Sequence, residues 1–150
     1  MKRSAIARSS VPLARTGKPK AKPRKESART ARKKADAAWS LYVRARDRHT
    51  CQYCGRTDRL MNAHHVMIRE FSATRCDPRN GITVCGMPCH TQVMHGQPDK
   101  AEAFYYRHLG PELLAEVRRK GYEGVGAKYG ASHWQAELET LRALLGALDG

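Results

Sequence analysis

Two closely spaced pairs of cysteines constrain the fold of this chain more than any other feature. Cys51 and Cys54 are separated by two residues, and Cys85 and Cys89 by three. Such spacings let both thiolates of a pair point at one ion, and four thiolates complete a closed tetrahedral zinc site that contributes folding free energy directly. The alternative is that these cysteines are buried apolar side chains or a redox pair. The fifth cysteine, Cys76, has no partner at ligand spacing and is predicted to be a bystander.

A small set of histidines and one asparagine lies among these cysteines. His64 and His65 are adjacent, Asn80 follows fifteen residues after His65, and His90 comes directly after the last cysteine. Neighbouring side chains on a strand point to opposite faces. One histidine of the pair therefore faces a metal while the other faces a substrate, or both converge if the strands twist. His95 lies five residues after His90, more than one helical turn on, and is the weaker candidate for the same site.

The charge of the chain is concentrated near its start. The 150 residues carry a net charge of +14, which favours a polyanionic partner. Residues 1–35 hold 13 Lys and Arg and one acidic residue, whereas residues 36–150 hold 15 basic and 13 acidic residues. The first 27 residues mix Lys, Arg, Pro and Ser and cannot bury enough apolar surface to offset the entropy of ordering. We therefore predict a disordered basic arm over 1–27.

The start of the chain also bears on where the protein acts. It has no apolar run long enough for a secretory signal, and no later stretch is predicted to span a membrane. Five cysteines in such a protein favour metal binding or free thiols over disulfides. An Arg- and Ser-rich start also suits an organelle transit peptide, but it lacks an apolar helical face. We expect a cytoplasmic protein without a membrane partner.

Periodicity divides the rest of the chain into an α+β core with flanking helices. Residues 28–48 favour a helix leading into the core, and the core itself covers 49–96. There the β-formers Val66 and Ile68, and later Ile82 to Val84, flank a polar loop at 69–81 and predict a two-stranded ribbon followed by a helix from Pro88. Residues 97–150 are predicted to be helical, with helices over 99–108, 111–120 and 131–148. The leucines of the last helix are expected to pack against the rest of the fold.

The order of these motifs resembles the HNH endonuclease superfamily, which has the ββα-metal fold. The resemblance covers about residues 49–95. It rests on Ala63-His64-His65-Val66, then Asn80, then Cys85 to Cys89 followed by His90, bracketed by Cys51 and Cys54. It implies that His65 is the general base, that Asn80 fixes the ribbon and orients the base, and that His90 and His64 bind a catalytic divalent ion. Mg²⁺ or Mn²⁺ is expected there, distinct from the structural zinc, because a closed four-cysteine site has no open position.

A looser resemblance extends over about 35–120 to the phage Rap/NinG recombination nucleases. It rests on the run from Trp39 to Asp47, on Cys51 to Thr57, and on Tyr105 to Gly110. It implies a DNA substrate, duplex or branched, and a junction-cutting enzyme of this kind would need two active sites, as in a dimer. Two readings without catalysis stay open. A zinc-stabilised DNA-binding accessory protein would explain the cysteines and the basic arm, and a ribosome-associated protein would explain the charge alone.

Overall fold

The computed structural model describes residues 25–148, so the predicted arm lies outside the described residues except for 25–27. Within that range the chain has a mixed α+β fold with a two-stranded antiparallel sheet. Its elements in chain order are α1 (Ala28–Arg46), β1 (Met61–His65), β2 (Gly81–Cys85), a π-helix (Gly86–Met94), α2 (Pro98–Leu109), α3 (Pro111–Glu123) and α4 (Ala131–Gly146). The predicted order of a helix, a ribbon and further helices is confirmed.

Helix α1 packs against α4 and against both strands of the sheet. It begins after Ser27, whose hydroxyl accepts a hydrogen bond from the Thr30 backbone N–H at 3.2 Å, as an N-cap residue does. Its buried residues recur at three- and four-residue spacing and form one face, which packs mainly against α4. These residues are Ala31, Ala35, Ala38, Trp39 and Val43.

The C-terminal helix meets α1 through an apolar face of its own. Trp134, Leu138 and Leu141 are buried there, as expected for residues that pack against the fold. Leu148 is not part of this contact and is 45% exposed. The helix ends at Gly146, two residues before its predicted end.

The sheet is short, and β1 ends earlier than its β-forming residues predict. His65 pairs with Gly81, the first residue of β2, and the chain before Gly81 curls into a 3₁₀ turn at Pro78–Asn80. Val66 still donates to the Asn80 carbonyl at 3.0 Å, but no partner strand continues beyond it. The expectation that Val66 and Ile68 lie within the first strand is therefore wrong.

The sheet lies between α1 on one face and the π-helix with α2 on the other. Ala63 and Thr83 face α1, where the Thr83 hydroxyl donates to the Val43 carbonyl at 3.1 Å. Ile82 and Val84 face the opposite way and join a second apolar cluster with α2. The two histidines at the end of β1 therefore lie in a sheet that is covered by helices on both faces.

Candidate functional site

Four cysteines converge at the end of the sheet away from His65. Cys51 and Cys54 come from the turn before β1, Cys85 ends β2, and Cys89 lies in the π-helix. All four are free thiols, and their sulfur atoms lie within 4.8 Å of one another. The Cys54 and Cys85 sulfurs are 4.0 Å apart, close to the roughly 3.8 Å that a tetrahedral ion with Zn–S bonds of about 2.3 Å requires. The donor set therefore fits a structural metal such as zinc, as predicted.

The surroundings of these thiols also suit a cation. Burial opposes ionisation of Cys51, but backbone N–H groups, first among them that of Cys85, point at its sulfur and lower its pKa to about 7. Burial and the neighbouring thiols raise the pKa of Cys89. Several thiolates at this separation repel one another, so a bound cation is needed to hold them all ionised. Cys76 lies elsewhere, buried in the cluster between α1 and α4, as its predicted role of bystander requires.

A second cluster brings together His64, His90 and His95. One ring nitrogen from each lies within 4.8 Å of the others. The centroid of the His64 ring is 5.2 Å from that of His90 and 5.2 Å from that of His95. His64 is buried, His90 half-buried and His95 exposed, so the cluster opens to solvent on one side. Neutral imidazoles in such an arrangement can hold a divalent ion and leave positions free for other ligands.

His95 joins this cluster because it is the C-terminal cap of a π-helix. The His95 backbone N–H donates to the His90 carbonyl, five residues earlier, at 3.2 Å. Residues five apart lie closer to one face in a π-helix than in an α-helix, where they diverge by about 140°. The two rings consequently lie 4.7 Å apart. The sequence makes His95 the weaker candidate for this site only if the segment is an α-helix, and it is not.

His64 has a buried partner that the sequence did not single out. Its Nε2 lies 2.6 Å from the hydroxyl of Tyr105 on α2. Burial, together with the nearby His90 and His95, lowers the pKa of His64 to about 3, so the ring is neutral at physiological pH. Burial also raises the pKa of Tyr105 to about 12, so its hydroxyl keeps its proton. If Nδ1 of His64 holds an ion, Nε2–H donates to Tyr105, an arrangement that fixes the ligand ring.

His65 faces α1 rather than the histidine cluster. Its ring stacks on Trp39 with centroids 3.7 Å apart, and its Nε2 lies 2.9 Å from the Arg75 carbonyl. A carbonyl only accepts, so Nε2 carries the proton and Nδ1 keeps the lone pair. Burial is the main cause of a pKa lowered to about 4, and the positive charge of Arg69 contributes. His65 is therefore a neutral imidazole with one tautomer selected. The adjacent histidines occupy opposite faces of the strand, the first of the two expected arrangements.

Asn80 is fully buried and ties the loop after β1 to the start of β2. Its Oδ1 accepts from the Met67 N–H at 2.6 Å, and its Nδ2 donates to the carbonyls of Met67 and Thr74 at 3.0 and 2.9 Å. The expectation that Asn80 fixes the ribbon fits these bonds. The His65 ring, however, is bonded to the Arg75 carbonyl and not to Asn80, so any effect of Asn80 on the base passes through this loop.

Helix α1 completes the surroundings of His65. Asp36 on α1 holds the Arg75 guanidinium through two bonds of 2.6 and 2.8 Å, which anchors the residue whose carbonyl faces His65. The Trp39 indole N–H donates to the Asp77 carbonyl at 2.9 Å, which holds the ring that His65 stacks on. Neither contact was predicted, because both join residues far apart in sequence.

Both adjacent histidines line one cleft of about 450 Å³. Arg69, an exposed residue of the loop after β1, also lines it. Its positive charge contributes to lowering the pKa of both His65 and His90. An arginine beside a histidine cluster is suited to pair with a phosphate or carboxylate. Nothing in the sequence of this polar loop distinguishes Arg69 as a functional residue.

Comparison of the chain with protein-family models, with curated proteins and with solved structures finds no match. Among residues 25–148, no helix is both long and apolar enough to cross a membrane.

Proposed function

We propose that this protein is a metal-dependent endonuclease of the HNH type that hydrolyses DNA phosphodiester bonds. The observation that carries the proposal is the cleft in which His64, His90 and His95 converge and which His65 also lines. His64, His65 and His90 follow the order of elements that the resemblance implies, with two histidines at the end of β1 and one on the helix after β2. A zinc-binding module without catalysis has no need of this second cluster.

His65 is suited to act as the general base. Its Nε2–H is held by the Arg75 carbonyl, so the unprotonated Nδ1 is the atom that would take a proton from water. The flat contact with Trp39 and the bond to Arg75 restrict rotation of the ring. A fixed, neutral imidazole can generate the nucleophile without first losing a proton.

The three-histidine cluster would hold the catalytic ion. When bound there, a divalent ion supplies stabilisation of negative charge on the phosphate oxygens. Imidazole donors suit Zn²⁺, Ni²⁺ or Co²⁺ better than Mg²⁺, which prefers oxygen ligands in octahedral geometry. The donor set thus argues against the Mg²⁺ expected from the resemblance. Arg69 would pair with the phosphate from the rim of the cleft.

Nicking of supercoiled plasmid tests the proposal. Wild-type protein is incubated with Mg²⁺, Mn²⁺, Ni²⁺, Co²⁺ or Zn²⁺, beside the variants His65→Ala and His90→Ala. His108→Ala is the matched control, because His108 is an exposed histidine on α2 that does not line the cleft. Loss of a general base is expected to slow nicking by about 10²–10⁴-fold, while the control cleaves like wild type.

Two results would contradict the proposal. Equal nicking by wild type and His65→Ala would remove His65 as the base. DNA binding without cleavage by wild type in every metal would favour the zinc-stabilised accessory protein instead. A panel of linear, nicked, flapped and four-way DNA then determines whether branched substrates are preferred.

A further inference from the structure

A second pocket combines arginines with aromatic side chains. It has a volume of about 260 Å³ and lies between the first turns of α1 and the start of α4. The side chains that matter here are Arg29 and Arg32 on α1 and Tyr129 just before α4, with Ser72 on the opposite rim. Both arginines are exposed and Tyr129 is partly exposed.

The two arginines are free to bind an external anion. The ion pairs of α1 within residues 25–148 involve Lys34, Asp36 and Arg46, and neither Arg29 nor Arg32 takes part in one. In the sequence, Arg29 and Arg32 belong to the most basic part of the chain, since residues 1–35 hold 13 of the 28 Lys and Arg residues.

A small depression adjoins both the arginine pocket and the histidine cleft. Glu70 lines both the cleft and this depression, which is formed with residues 124–127. Ser72 lines both the depression and the arginine pocket. The arginine pocket and the cleft are therefore neighbours along the segment 70–72, which includes one acidic residue, Glu70.

We propose that this arginine pocket binds a single-stranded nucleotide segment of the substrate, an inference that rests on the proposed function. Arg29 and Arg32 contact the phosphates, and Tyr129 stacks against a base. Proteins bind unpaired strands without sequence preference by combining positively charged side chains, which contact the phosphates, with aromatic rings that stack on the bases. A small anion would need no aromatic ring, and a fully paired duplex would not offer a base face to Tyr129.

Binding of a fluorescein-labelled oligo(dT) by the full chain, followed by anisotropy without added divalent cation, tests this site. The double variant Arg29→Gln/Arg32→Gln is expected to bind at least tenfold more weakly and to lower the salt slope by about 1.4, because each phosphate contact on a single strand contributes about 0.7. Tyr129→Leu should lose about tenfold in affinity with the slope unchanged, and Tyr129→Phe should bind like wild type. Arg142→Gln on α4 is the matched control, an exposed arginine that does not line the pocket.

The outcomes separate this site from the nuclease proposal. A double variant that binds no more weakly than Arg142→Gln would overturn the arginine pocket, even if wild type cleaves DNA. An equal loss of affinity in Tyr129→Leu and Tyr129→Phe would overturn the stacking contact. If the arginine variants lose binding while wild type cleaves nothing, the pocket stands and the nuclease proposal fails.

Discussion

Replacing Asn80 with alanine would remove the side chain that joins the loop after β1 to β2. The amide makes three hydrogen bonds to backbone groups of Met67 and Thr74, and Asn80 is 0% exposed. An unsatisfied buried polar group costs about 1–3 kcal/mol. Backbone carbonyls tolerate a lost partner better than N–H groups, so we expect Asn80→Ala to lower the free energy of unfolding by about 3–5 kcal/mol. That is a large part of the stability of a domain of this size.

The Asn80→Asp variant tests the two functions of the amide separately, because it keeps the hydrogen-bond acceptor and removes the donor. Its carboxylate can still accept from the Met67 N–H, but the second oxygen would face the two carbonyls to which Asn80 now donates. A buried charge without a donor is costly. The aspartate variant should therefore be no more stable than the alanine variant, although it keeps the shape of the side chain.

Urea denaturation of zinc-loaded protein, followed by circular dichroism, measures these differences. Asn62→Ala is the matched control, since Asn62 is a half-buried asparagine on β1 whose side chain makes no hydrogen bond to the described residues. It should cost less than about 1 kcal/mol. Hydrogen exchange at the Met67 amide should accelerate only in the Asn80 variants. A loss in Asn80→Ala no larger than in Asn62→Ala would refute the role given to this amide.

Three further outcomes are expected. Cys89→Ser should lose the zinc of the four-cysteine site and unfold the core, whereas Cys76→Ala should keep the zinc content of wild type, both measured by metal analysis and circular dichroism; a folded Cys89→Ser protein that has lost this zinc would exclude a structural role for the site. Gly81→Ala should destabilise by about 1–3 kcal/mol in urea, since its Cβ would overlap side chains of α1, while the Cβ of Gly86→Ala meets nothing nearer than 3.5 Å and serves as control. Burial raises the pKa of Asp77, but hydrogen bonds from an arginine and a lysine outweigh it and lower that pKa from 3.8 to about 2. This depressed pKa contributes about 2 kcal/mol above about pH 4 that is lost toward pH 2, and Asp77→Asn should remove this acid-dependent loss in urea titrations.

Features that depend on neighbours in sequence were predictable. The spacing of Cys51 and Cys54 limits where their sulfurs can point, and the apolar repeat of α1 and α4 follows from helical geometry. The end of β1 was misjudged because Val66 and Ile68 have β-forming side chains but no partner strand beyond Gly81. Propensity describes a residue's preference, whereas a strand needs hydrogen bonds from another segment.

The sequence by itself determined the two cysteine pairs, the order of the histidines around them and the helices that flank them, because each depends on local spacing or periodicity. The two pairs meet because β1 and β2 pair, which brings Cys54 and Cys85 together across 31 residues of sequence. Only the tertiary structure brought His95 to the other two histidines, since a π-helix replaces the 3.6-residue repeat there. It also placed Trp39 against His65 and Tyr105 against His64. Those contacts join segments distant along the chain, and their positions follow from how α1 and α2 pack on the sheet.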